Sequence, residues 1–290
     1  MLNSSYSNGF VINTNIASLL VQRNLANVTN DMTMYMEHLS SSLKVNRASD
    51  DPGGMAISLN YERQISSMAV AKSNSQTGVS LLQTAENDLK TIKSNLTTMK
   101  NLIIQAQTGT TTDPERAAMN STYQQLLTEI QRIASTSNYS GIKLLDGSNV
   151  AANSIVLQVD INNNASDKID ISSSLANCGT AAGALNIAAT AVDTVLNANA
   201  AQSFVDNAYN TINQRISLVG GFNTRLNNNI SRLDARSENL QAANSLIRDA
   251  DIASDTAKLT KAQILQQTSV SLLQQANQSS ALILTLIGAT

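Results

Sequence analysis

The feature that most constrains the fold is an alternation of three- and four-residue steps between apolar residues, sustained along most of the 290-residue chain. It runs through Val21, Leu25, Val28, Met32, Tyr35 and Leu39, then through Leu82, Ala85, Leu89, Ile92, Leu96, Met99 and Ile103. A turn at 109–114 follows, whose Asp113-Pro114 suits an N-cap and first helical residue. The alternation resumes at Met119, Tyr123, Leu126, Ile130 and Ile133. Ile212, Ile216, Val219, Leu226, Ile230, Leu233, Leu240 and Ile247 hold one register, with Asn223, Ser237 and Asn244 at polar seam positions. Leu265, Thr268, Leu272, Ala276, Ser279, Leu282 and Leu286 close the series. Such spacing predicts long helices, each presenting a narrow apolar seam to other helices. An amphipathic helix of this length cannot bury its seam alone, so segments distant in sequence must pair.

The middle of the chain departs from this pattern. Ile155, Leu157, Val159 and Ile161 alternate with Val156, Gln158 and Asp160, the two-residue period of a half-buried strand. Ile169 and Ile171 repeat it after a polar turn at 162–167, and residues 173–199 read as a short variable connection. The fold class expected is mainly α: a long antiparallel, coiled-coil-like helical hairpin with its N- and C-terminal helices paired. A small β-hairpin at about 140–172 interrupts the helices.

Charged residues make up 14% of the chain, against roughly 25% in an average soluble protein. The net charge of −2 leaves no basic footprint for nucleic acid. One Cys (Cys178) and one His (His38) supply neither an intrachain disulfide nor a four-ligand zinc site. His38 reads as a solvated helix residue and Cys178 as a small filler in a loop. Asp249, Asp251 and Asp255 mimic the start of a calcium loop, but Ser254 and Thr260 stand where Gly and Glu are required. Gly53-Gly54 lacks the Lys-Ser/Thr of a phosphate-binding loop and reads as a helix junction needing unusual backbone angles. Gly220-Gly221, inside a helical register, marks close helix approach or a bend. No cofactor, metal or catalytic constellation is expected, and the chain reads as a structural protein rather than an enzyme.

Its two ends are nearly chargeless. Residues 1–30 carry Arg23 alone and residues 262–290 no charged side chain. The second stretch is not a membrane span, because hydrocarbon penalises Gln263, Gln266, Gln267, Gln274, Gln275, Asn277 and Gln278. The first reads as no secretory signal, since residues 1–22 contain no Lys or Arg. A solvated helix shows a charged face opposite its apolar stripe, whereas here Ser, Thr, Asn and Gln occupy that face. Those groups hydrogen-bond to one another without burying unpaired charge. Such a helix suits packing on several sides by copies of itself, so the partner expected is the chain itself. The contacts must run head to tail, because a self-matching two-fold patch closes and cannot grow a fibre.

Residues 39–58, Leu-Ser-Ser-Ser-Leu-Lys-Val-Asn-Arg-Ala-Ser-Asp-Asp-Pro-Gly-Gly-Met-Ala-Ile-Ser, closely resemble the N-terminal motif of bacterial flagellins. The C-terminal side matches as well, at 248–253 (Arg-Asp-Ala-Asp-Ile-Ala), 259–267 (Leu-Thr-Lys-Ala-Gln-Ile-Leu-Gln-Gln) and 275–278 (Gln-Ala-Asn-Gln). Val11-Ile12-Asn13-Thr14-Asn15 matches the family's opening. The chain departs from the family in an extension at 1–9, in Ser279-Ser280 where an apolar residue and Pro are common, and in its Gly288-Ala289-Thr290 end.

The resemblance implies a short flagellin without the large outer domains. Residues 1–45 and 250–290 would form the inner filament core, with Val21, Leu25, Val28, Met32, Leu39, Leu265, Leu272, Ala276, Leu282 and Leu286 as core polymerisation positions. Residues 46–172 and 200–249 would form an outer helical rod, its seam built by Leu89, Leu96, Ile103, Ile130, Leu226, Ile230, Leu233 and Leu240. The implied function is a subunit of the flagellar filament, secreted and exported unfolded by the flagellar type III system. Implied partners are an export chaperone and the hook-associated and cap proteins. Stimulatory family members carry L-Q-R-x-R-E-L-A-x-Q at the contact for host Toll-like receptor 5. The aligned run here is 96–105, which keeps Leu102 but has Thr98 in place of an arginine, and Thr122 in place of a glutamate on the next helix. Weak recognition is implied. Two other classes fit parts of the sequence: a hook–filament junction protein, and a secreted coiled-coil adhesin. The latter leaves the chargeless ends without a reason.

Overall fold

The computed structural model describes residues 14–148, 154–181 and 184–288, with backbone alone from 280 to 288. Five helices carry the chain: α1 (Ile16–Ser41), α2 (Pro52–Gln107), α3 (Asp113–Thr136), α4 (Val195–Arg248) and α5 (Ile252–Gly288). Between α3 and α4 lie two small antiparallel ladders, β1 (Asn138–Tyr139) with β2 (Ile142–Lys143) and β3 (Val156–Gln158) with β4 (Lys168–Asp170). The order of helices and hairpin is the expected one. The chain divides into two compact units, one of residues up to 62 together with those from 241, the other of residues 63–240. The boundaries observed fall inside α2 and α4.

In the larger unit the seam of α2 forms the spine. Leu82, Ala85, Leu89, Ile92, Leu96, Met99 and Ile103 are all fully buried, as are Tyr123 and Ile130 of α3 and Ile212, Val219 and Leu226 of α4. Helices α2 and α4 run antiparallel, tied by Lys72–Asp234 and Lys100–Asp206 ion pairs at 2.7 and 2.6 Å and by Gln107 donating to Gln202 at 2.8 Å. These pairs are exposed and each adds at most about 1 kcal/mol, so burial of the seam dominates. Helix α3 starts one residue earlier than expected. The Glu115 carboxylate accepts the Thr112 backbone N–H at 2.7 Å, making Thr112 the cap and Asp113 the first helical residue.

The first ladder turns through Ser140 and Gly141, both at positive φ, the geometry of a two-residue hairpin turn. The second has the register Val156↔Asp170, Leu157↔Ile169 and Gln158↔Lys168. It docks by its backbone: Asn74 of α2 donates to the Gln158 carbonyl at 3.2 Å, and Asn229 of α4 to that of Val159 at 2.8 Å. The buried Asp160 carboxylate takes Arg232 at 2.9 Å. The described residues of 175–181 and 184–194 form neither helix nor strand but are not loosely attached. Leu175, Cys178, Leu185, Ile187 and Val192 are buried in the same core, and Tyr123 meets Thr190 at 2.6 Å.

Candidate assembly surface

The smaller unit pairs α1 with α5, antiparallel. Asn15 caps α1 by accepting the Ser18 N–H at 3.0 Å, and its amide also donates to the Ala276 carbonyl at 3.0 Å. Ser18 donates to Asn277 at 3.0 Å, and at the other end His38 Nδ1 meets Asp255 Oδ2 at 3.1 Å. Val21, Leu25, Val28, Met32, Tyr35 and Leu39 lie together on the half-buried face of α1. On α5 the covered face is Asp255, Leu259, Ala262, Gln266, Ser269, Leu273 and Ala276. That is one position out of phase with the heptad expected: Leu265 and Leu272 are 42% and 53% exposed, and Ala276 alone of the residues named there stays on the covered face. Small Ala262, Ser269 and Ala276 share the covered face with Leu259 and Leu273, while Leu265 and Leu272 stand outside it. Leu282 and Leu286 continue the helix, but their side chains lie outside the described residues, as do Val11, Ile12 and the extension at 1–9.

The faces left uncovered are unusual. Ile16, Leu19 and Leu20 on α1 are more than half exposed, and Met34 and Met36 lie outward too. On α5, Ile264 and Val270 join Leu265 and Leu272 outside the pair. From Ala262 to Ser279 these apolar groups are interleaved with amides and hydroxyls and with no charge. Large apolar side chains left in water on one element mark an interaction surface.

Where α1 ends, Ser42 takes a left-handed conformation, and Leu43 pairs with Asp249 through the backbone. Lys44 N–H donates to the Arg248 carbonyl at 2.7 Å, and Arg248 reaches Glu62. Asp50 accepts the N–H groups of Asn46 and Arg47 at 3.1 and 2.8 Å, and the Arg47 bond foremost holds its carboxyl below the usual range. Asp51 Oδ1 accepts the Gly54 N–H at 2.9 Å at the start of α2. Gly54 has no positive φ, contrary to expectation. A Cβ there would come within 2.3 Å of the Asp51 carboxylate, so the glycine provides clearance. Asp251 likewise accepts the Ser254 N–H at the start of α5.

His38 is not a solvated helix residue: it is 8% exposed and pairs with the equally buried Asp255. The other Asp255 oxygen takes Lys258 at 2.9 Å, and the Tyr35 ring stands edge-on to His38 at 6.3 Å. Burial pushes the Asp255 carboxyl up, but bonds from Lys258 and His38 outweigh it and leave it below its usual value. At Gly220 and Gly221 the close-approach half of the expectation fails, since a Cβ on either meets nothing within 4 Å. The close approach is at Gly78, which the sequence reading passed over. A Cβ there would lie 2.3 Å from Leu157 of the hairpin and 3.2 Å from Leu226.

Of the seam residues named for the outer rod, Leu89, Leu96, Ile103, Ile130, Leu226 and Leu233 are buried, while Ile230 and Leu240 are half-buried. Asn229, one residue from Ile230, is buried on the seam between Leu226 and Leu233, a position that the three-and-four alternation allows as readily as Ile230. Thr98 and Thr122 are exposed, and each hydroxyl bonds the carbonyl four residues back. Leu102 is half-buried against the core. Cys178 is fully buried, and burial pushes its thiol up to about 11.

Residues 12–150 match the family profile described as the bacterial flagellin N-terminal helical region, and residues 203–287 the bacterial flagellin C-terminal helical region. The chain is 37% identical over 278 residues to the flagellin of Halalkalibacterium halodurans, covering 96% of this chain and 99% of that one. It is 34% identical over 287 residues to the flagellar filament 30.7 kDa core protein of Treponema maltophilum, with the same coverage of each. A flagellar hook-associated protein from Vibrio parahaemolyticus has a similar fold, with a TM-score of 0.55 at 17% identity over 69% of this chain and 99% of that one.

Proposed function

The chain belongs to the bacterial flagellin family, and from that premise we propose that α1 and α5 are its polymerising core and that it leaves the cell unfolded. It is a structural subunit of the flagellar filament and not an enzyme. The observation that carries the core assignment is the α1–α5 pair itself, covered on one face yet bearing apolar side chains and few charges on the others, none of them from Ala262 to Ser279. Head-to-tail contact between copies would bury Ile16, Leu19, Leu20, Ile264, Leu265, Val270 and Leu272 without stranding a charge. Residues 1–45 and 250–290 are assigned to this inner layer and residues 46–172 and 200–249 to an outer rod. Deleting 262–290 should abolish seeded filament growth, followed by sedimentation and electron microscopy, while α2, α3 and α4 keep their helical signal. Long filaments from the truncated chain would refute the assignment.

The partners that go with this reading are an export chaperone, the hook-associated and cap proteins, and a host receptor that it engages weakly. The receptor reading rests on Thr98 and Thr122, both exposed. Threonine in place of arginine removes a planar five-donor fork able to grip a carboxylate. Loss of one central contact commonly costs about 2 kcal/mol or more, roughly thirtyfold in affinity. In a Toll-like receptor 5 reporter assay, purified monomer should be less potent than a flagellin with the full motif, and Thr98→Arg should recover part of the difference. Equal potency of the unaltered chain would end this reading.

A further inference from the structure

The seam between α1 and α5 is almost invariant to a slip of seven residues. Sliding α1 by one heptad exchanges Leu25 for Met32 or Met32 for Leu39, and Val21 for Val28. On α5 it exchanges Ala262 for Ser269 or Ser269 for Ala276, and Leu259 for Gln266. Each exchange changes little in volume, and only Leu259 for Gln266 changes much in polarity, so the half-buried apolar contacts specify the register weakly. The backbone bridge of Leu43 with Asp249 carries no sequence information, since peptide groups one step away pair as well.

A slip breaks the neutral Ser18–Asn277 bond at one end of the pair, but the contact it disturbs most is the charged cluster at the other. Tyr35 and His38 on α1 face Asp255 and Lys258 on α5, each helix contributing residues three apart. Asp255 spends both oxygens, on His38 at 3.1 Å and on Lys258 at 2.9 Å, and the Lys258 ammonium lies 5.6 Å above the Tyr35 ring. The His38 and Asp255 side chains are 10% and 7% exposed. A slip one way sets His38 against Ala262 and carries Asp255 past the end of α1. A slip the other way sets Asp255 against Asp31. Either leaves a buried carboxylate without its partner, which is the most costly change such a contact undergoes.

We propose that the His38–Asp255 pair, closed by Tyr35 and Lys258, is a latch that fixes the register of α1 on α5. It thereby decides which side chains the pair offers to neighbouring subunits. A buried polar pair setting register at some cost in stability is a known use of such groups in helical assemblies.

The proposal rests on the assembly reading, because register is best measured in filaments. Ser18–Asn277 and His38–Asp255 bracket positions 28 and 266, which are therefore level. Three full-length cysteine pairs test it: Val28→Cys with Gln266→Cys for the observed register, and Val28→Cys with Leu259→Cys or Leu273→Cys for a one-heptad slip of about 10 Å. Cys178 is buried in the larger unit and stays out of the reaction. Filaments are pelleted, oxidised and run on non-reducing gels, and peptide mass spectrometry identifies the bridge. With the native latch only the level pair should cross-link. With His38→Leu and Asp255→Leu together, an offset pair should cross-link to a comparable extent. The exchange His38→Asp with Asp255→His should return the level pair alone. A double-leucine chain that still cross-links only at 28 and 266 overturns the proposal. So does an exchanged chain that cross-links at the offset positions or fails to pellet. If the chain with the native latch itself does not pellet, the assembly reading has failed, and the same cross-links read on the monomer decide the latch.

Discussion

Asp255 combines features that rarely coincide: it is buried, it is shared by an imidazole and an ammonium group, and it sits on a helix with few other charges. Its carboxyl is held below its usual value, so it stabilises the pair above about pH 4, the ordinary carboxylate range, and that contribution fades as pH falls through the lower folded value. The groups around it are Tyr35 and His38 on α1, Asp251 and Lys258 on α5, and Lys44, Asp50 and Asp51 in the connection. Asp255→Asn should therefore dissociate less steeply below pH 4 than the native chain, when filaments are titrated with acid and followed by light scattering. Identical acid profiles would show that Asp255 does not govern the acid limb. Cys178 is a contrast at the same scale. Burial keeps it a neutral thiol, which makes it a packing residue.

At the scale of elements, glycine has opposite meanings in α2 and α4. Gly78 sits beneath Leu157, and an added methyl would crowd the hairpin against the helix. Gly78→Ala gains about 1 kcal/mol in helix propensity but incurs overpacking of about 1–3 kcal/mol. The variant should unfold at lower urea than the native chain. Gly220→Ala meets open space and should unfold at higher urea, by up to about 1 kcal/mol. The reverse order of midpoints would mean that Leu157 turns aside freely. The two ladders, of two and three residue pairs, are too short to be stable alone. Docking on Asn74 and Asn229 holds the second in place, so its existence is a property of α2 and α4 as much as of its own alternation.

At the scale of the whole chain, two compact units with different surfaces share α2 and α4. The larger buries a continuous core, with single apolar side chains such as Leu196 and Val70 left exposed. The smaller leaves apolar groups outside. Leu272, 53% exposed, should accept Glu with no loss of the monomer's helical signal, because nothing in the α1–α5 pair covers it. In the filament that charge would be buried among uncharged helices, so Leu272→Glu should abolish seeded growth. Normal filaments from this variant would place Leu272 on an open face of the assembly.

Helix positions, their order and the pairing of the two ends were legible in the sequence, because a heptad seam is a local, periodic signal that a few adjacent turns carry in full. So was the need for self-association, since the absence of charge over 262–290 is visible without a structure. The family, too, was legible in its two long end motifs. What only tertiary structure decided lies where a residue's environment comes from far along the chain. On α5 the covered stripe is the one through Leu259, Ala262, Gln266 and Ser269, one position from the stripe expected, because a period alone does not say which of two neighbouring stripes will be covered. His38 moved from solvent to interior because its partner stands 217 residues away. Gly78 gained its role from a leucine in the hairpin, and the irregular stretch near 175–194 gained its order from burial in the common core. Periodicity determines which face can be buried; the partner that arrives determines which face is.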